Sequence, residues 1–128
     1  METIVTNGVR ITVQSHYEPQ YSHPDKNQFV FSYRIDIENK NEFPIQLLSR
    51  KWIIVDAGAE TKVIEGDGVL GEQPIIEPGA VHSYESGCPI SSEFGIMRGK
   101  YILKNTLTEQ EFKVTIPEFK LVVDYILN

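Results

Sequence analysis

The residues most suggestive of chemistry are Gly66-Asp67-Gly68-Val69-Leu70-Gly71, a G-x-G-x-x-G string. In dinucleotide-binding folds such a string turns backbone N–H groups and a helix N-terminus toward a pyrophosphate. The mechanism needs a strand before the string and a helix after it. Residues 61–65 suit a strand, but Pro74, Pro78 and Gly79 follow too soon for a helix of useful length. A Rossmann-type site is therefore excluded, and two roles remain. In one, the glycines supply positive φ and close approach in a connection between strands. In the other, N–H groups around Gly66, Gly68 and Gly71 form a nest for a phosphate or pyrophosphate. The acidic neighbours Glu65, Asp67 and Glu72 suit an anion that arrives with Mg²⁺ or Co²⁺, since carboxylate oxygens are hard ligands. Arg50 joins Glu72 as an auxiliary candidate, because it shares a strand face with Trp52 and can stack on that ring or hold an anion.

Other reactive residue types lack partners for a reaction. His16, His23 and His82 show no H-x-H or H-x-x-x-H spacing, and a metal site built from His16 and His82 alone would be a poor one. Cys88 has no His or Lys beside it to lower its pKa and reads as a small buried hydrophobe. His82, six residues away on the same extended strand, is out of reach for a Cys-His pair. Ser83, Ser86, Ser91 and Ser92 occur without a G-x-S-x-G turn or an S-x-x-K pairing. No acid–base pair can be named, so no enzyme is expected, and no catalytic residue or resident metal is assigned.

The elements that must position these residues are strands. Alternation is clearest in Phe29-Val30-Phe31-Ser32-Tyr33-Arg34-Ile35-Asp36-Ile37-Glu38, whose odd positions are all apolar or aromatic. Val9, Ile11 and Val13 repeat the pattern, as do Phe112, Val114 and Ile116. Residues 46–55 are apolar on both faces around Trp52 and belong near the middle of a sheet. Residues 61–65, 81–86 and 96–104 complete a set of seven, each bounded by Gly, Pro, Asn or Asp. Seven short strands with no capped helical pattern predict an all-β fold, an immunoglobulin- or fibronectin type III-like sandwich. One domain is expected over residues 1–128, with a core from about residue 9 to 117 and an extended arm over 118–128. That arm is strongly apolar. It packs along the sandwich as an extra strand, or it offers Phe119, Leu121, Val123 and Tyr125 to a second copy as a homodimer face.

Composition narrows the partners. Twelve Lys and Arg against eighteen Asp and Glu give a net charge of -6, which repels a phosphate backbone unless the cations gather on one face. Nucleic acid is therefore not expected. No apolar run approaches the ~20 residues that span a bilayer, and the N-terminal residues lack the pattern of a secretory signal. With a single cysteine, a cytoplasmic protein is expected.

The order of Trp52-Ile53-Ile54-Val55-Asp56, the glycine string with Glu72-Gln73-Pro74, then Pro78-Gly79, Tyr84-Glu85-Ser86-Gly87 and Gly95-Ile96-Met97-Arg98-Gly99-Lys100-Tyr101 resembles ApaG proteins. The similarity runs from about Val9 to Phe119. Leu70 stands where that family commonly has Val, Glu93 interrupts a Thr-Pro-like turn, and Asp124 lies near a position often taken by Pro. The resemblance implies a fibronectin-like sandwich, an association with cobalt and magnesium efflux, and a link to dinucleoside polyphosphate metabolism. It also implies use as an interaction module within larger eukaryotic proteins. The expectation is a non-enzymatic module that binds a protein partner through the glycine turn and sheet edges, with a phosphate-bearing ligand as the alternative.

Overall fold

Alternating apolar residues place one face of each strand inward, and two sheets close over the resulting layer. The computed structural model describes residues 1–126. Nine strands run in chain order: β1 Glu2–Thr6, β2 Val9–Tyr17, β3 Phe29–Asn39, β4 Ile45–Asp56, β5 Lys62–Asp67, β6 Ile75–Ile76, β7 Val81–Ile90, β8 Phe94–Asn105 and β9 Glu111–Val122. The first sheet has the order β1-β2-β3-β7; the second is β5-β4-β8-β9, with β6 also paired to β4. All pairings are antiparallel. The all-β sandwich is thus as expected, with two strands more than the seven predicted. Among the described residues no helix is long and apolar enough to cross a membrane.

The core is the set of inward rows, including Ile11, Ile35, Ile37, Leu47, Met97, Tyr101, Leu103 and Ile116, all at or near zero exposure. Tyr33, Trp52 and Phe119 pack ring on ring between the sheets, with centroids 5.5–5.9 Å apart, a tilted and edge-on geometry that aromatic quadrupoles favour.

The predicted boundary at Pro117 is corrected. β9 passes through Pro117 and continues to Val122, where it pairs with Phe94. A register shift opposite Met97–Gly99 absorbs the proline, because a bulge is where a sheet tolerates a residue without an N–H. Residues 118–122 are therefore ordinary strand rather than an arm; residues 127–128 lie outside the described residues. Phe119, Leu121 and Val123 are buried at 4%, 0% and 0% exposure, so the face predicted for a homodimer is spent within the chain. Only Tyr125 of the four is exposed, edge-on to Tyr17.

The two long sides of the sandwich differ. On one, β1 and β2 lie against β9. On the other, the edge strands β5 and β7 each have a neighbour on one side only, and the sheets part.

Candidate functional site

A bulge decides what faces that opening. Ile45 and Leu47 point inward, the pairing of β4 with β8 shifts between Leu47 and Ser49, and beyond it the even positions Trp52, Ile54 and Asp56 are the buried ones. Arg50 falls on this inward face and Lys51 on the outward one. Across from Arg50, Trp52 and Ile54 stand Gly66, Ile64 and Lys62 of β5. On the facing sheet, Tyr84, Ser86 and Cys88 of β7 lie opposite Ile35, Tyr33 and Phe31 of β3. These rows bound a cleft of about 410 Å³ between β5 and β7, floored by Tyr33, Trp52, Tyr84 and Met97, with Arg50, Lys62 and Asp67 along it.

The glycine string forms one wall, with Gly68 and Gly71 at the positive φ expected of a connection between strands. Gly66 lies inside β5, paired with Arg50, rather than in a turn. Gly68 N–H donates to the Leu48 carbonyl at 2.8 Å. Val69 and Glu72 exchange N–H···O bonds at 2.8 and 2.9 Å around Leu70 and Gly71, both at positive φ, the geometry of a two-residue hairpin turn. The amides of Gly68, Val69 and Glu72 are thus consumed inside the chain, and the row of free N–H groups that an anion nest needs is broken. Glu72 itself is exposed at the turn tip and makes no ion pair among the described residues.

Arg50 is brought to the glycines. Its guanidinium lies over Gly66 and donates through Nη1 to the carbonyls of Asp67 and Gly68 at 3.1 and 3.0 Å, instead of stacking on Trp52. Among the described residues no carboxylate comes within ion-pair distance of Arg50 or Lys62. A guanidinium has five N–H donors, and two carbonyls on one nitrogen leave the fork free for a planar acceptor.

Hydroxyl groups complete the floor. Tyr84 and Tyr101 join through their oxygens in the core. Burial raises the pKa of both above the ordinary phenol value, with Arg50 pulling the other way, and the Tyr33 phenol, beside Ser86, is raised for the same first reason. All three phenols are neutral at physiological pH. Burial also pushes the Cys88 thiol up to about 11, against the opposing pull of Lys62, so it is no thiolate nucleophile near neutrality.

The remaining sequence candidates are dispersed. His16 lies opposite Ser32 and His82 opposite Ile37, five residues apart along β3 and roughly 16 Å. Ser83 donates to Asp36, and Ser91 and Ser92 to Asp56. Among the described residues no three His, Cys, Asp or Glu side chains gather as metal ligands would. Nothing local in the sequence marks Lys62, Tyr84 and Ser86 as site residues, because only the stacking of the sheets brings β5 and β7 to face each other.

The family model described as "ApaG domain" matches residues 19–105, a stretch that contains Arg50, the glycine string and the β7 wall. The chain belongs to the ApaG domain family. It is 44% identical to Protein ApaG of Anaeromyxobacter sp. (strain K) over 100% of both chains. It is also 44% identical to Protein ApaG of Pseudomonas aeruginosa (strain LESB58) over 94% of each. Among solved structures it resembles the ApaA protein of Bordetella pertussis, at 37% identity and a TM-score of 0.87, covering 91% of this chain and 94% of that one. This ApaG domain hides the Tyr84–Tyr101 pair beneath its cleft, and the pair is testable. Tyr84→Phe strands the Tyr101 hydroxyl at 0% exposure and is expected to cost about 1–2 kcal/mol in urea unfolding. Tyr84→Phe/Tyr101→Phe removes both hydroxyls and should recover most of that loss; a double variant as unstable as the sum of the singles would show that the hydroxyls act independently.

Proposed function

We propose that this ApaG domain is a binding module rather than an enzyme, and that a protein partner places an acidic side chain or a terminal carboxylate in the β5/β7 cleft. The observation that carries it is Arg50: a half-buried guanidinium, steered by two backbone carbonyls, with no carboxylate of its own chain paired to it among the described residues. A cation partly withdrawn from water is costly unless paired, and an incoming carboxylate relieves that cost. The aromatic floor favours an apolar or planar group behind the acid. The free edge of β7, ten residues long, borders the mouth, so an extended peptide can pair with the strand while a side chain enters the cleft.

Selection of random dodecapeptides on the immobilised protein tests this. Acidic sequences should be enriched, and Arg50→Met should bind them about 30-fold more weakly, since losing one partner of a desolvated charge pair costs about 2 kcal/mol or more. The same variant should keep the wild-type melting temperature within a few degrees. Enrichment without acidic residues, or equal affinity for Arg50→Met, would sink the proposal.

A further inference from the structure

The outer face of the second sheet gathers cations in a chain that is acidic as a whole. By register, Lys51 on β4, Arg98, Lys100 and Lys104 on β8, and Lys113 and Lys120 on β9 all project from it. These are half of the twelve Lys and Arg in a chain of net charge -6. Carboxylates neutralise only part of the set: Glu65 lies 3.6 Å from Lys51, Glu118 3.8 Å from Arg98, and Glu109 2.6 Å from Lys104. Lys100 and Lys113 have no ion-pair partner among the described residues.

The centre of the face works against the fold. Lys51 stands directly across from Lys100 in the β4–β8 ladder, and like charges in that position destabilise a sheet. The Lys100 ammonium holds its proton less tightly than an ordinary lysine, first because of Lys113, then burial and Lys51. Beside this cluster the sheet is hollowed. The register of β9 shifts opposite Met97–Gly99, and a depression of about 400 Å³ opens on the outer face between Lys51, Arg98 and Lys100, with Ile53 and Thr115 in its lining.

We propose that this face binds an oligophosphate, free or carried on a nucleoside, laid across Lys51, Lys100 and Lys113 with one end in the hollow beside Arg98. Strands β4 and β9 are two spacings apart, about 10 Å, a span that three consecutive phosphates cover. Glu65, Asp67, Glu111 and Glu118 fringe the cluster on the same face and repel the continuing backbone of a nucleic acid. A short polyanion therefore fits better than a long one. The site is separate from the β5/β7 cleft and stands whether or not that cleft binds a peptide.

Amide-shift titration at low ionic strength tests it, using sodium tripolyphosphate, ATP and adenosine without added metal. Saturable shifts are expected at Ile53, Arg98, Gly99 and Thr115 with the first two ligands and none with adenosine. Equal affinity for tripolyphosphate and ATP assigns recognition to the phosphate chain alone; tighter ATP binding assigns it to the nucleotide. Lys100→Met should bind at least tenfold more weakly while melting at or above the wild-type temperature, because the opposed charges are gone; Lys113→Met gives the same reading at a second position. No saturable shift at millimolar tripolyphosphate overturns the proposal. So do shifts confined to Tyr84, Ser86 and Cys88, unchanged binding by both variants, or tighter binding per phosphate of a single-stranded oligonucleotide.

Discussion

Gly99→Ala is expected to lower the thermal midpoint by about 10 °C, or roughly 3 kcal/mol. A Cβ at this position would sit 2.1 Å from the Lys51 carbonyl oxygen and 3.3 Å from Trp52 Cα. Both belong to the backbone of β4 at the Trp52–Gly99 pair, so no side chain can swing away and the central ladder must open. The glycines of the G-x-G-x-x-G string rank below it. Gly68→Ala meets the Glu72 carbonyl at 2.0 Å and is strained at φ +59, but it can displace an exposed turn. Gly66→Ala meets only the Arg50 guanidinium, at 2.8 Å, and should cost a few tenths of a kcal/mol. Chemical unfolding of the three single variants measures the order. A Gly68 or Gly66 variant less stable than Gly99→Ala would contradict the packing described.

Asp56→Ala is expected to cost about 3 kcal/mol at neutral pH, since it strands several donors at once. At 6% exposure the carboxylate accepts from Gly58 N–H, Ser91 N–H, Ser91 Oγ and Ser92 Oγ at 3.1, 2.7, 2.8 and 2.6 Å. It thereby ties the end of β4 to the turn between β7 and β8. Burial by itself raises the Asp56 pKa, but the bonds from Ser92, Ser91 and Gly58 together outweigh it and the folded value lies below the ordinary one. A depressed folded pKa contributes stability above the unfolded value, about 3.9, and that contribution is lost as pH falls through the folded value. The wild type should therefore lose stability more steeply than Asp56→Ala below about pH 4. Parallel pH profiles of the two would show that Asp56 carries no linkage.

The sandwich was legible because β2, β3, β4, β8 and the first half of β9 alternate or run apolar in lengths that only strands satisfy. β1 was missed because nearly every residue from Glu2 to Thr6 is exposed, so no face announces itself. The clue lay in Asn7-Gly8, which turns with φ of 50° and 75° and is a strong hairpin signal. β9 was cut short because proline ordinarily ends a strand, and the bulge that spares Pro117 depends on the partner strand. Arg50 was recognisable from its shared face with Trp52. Its surroundings were not, because Lys62, Tyr84, Ser86 and Cys88 meet only through the stacking of two sheets. The sequence left the anion nest open as the second role of the glycine string for a related reason: whether an amide is free depends on which carbonyl folds onto it.

The most direct test of the proposed carboxylate site in the β5/β7 cleft is the Arg50 Nε–H resonance, followed while a selected acidic peptide is titrated into isotope-labelled protein. It should shift saturably, together with the amides of Gly71, Tyr84, Ser86 and Cys88, and the same peptide with its acid replaced by glutamine should leave it in place. An Arg50 Nε–H that stays fixed while the acidic peptide binds would contradict the proposed site.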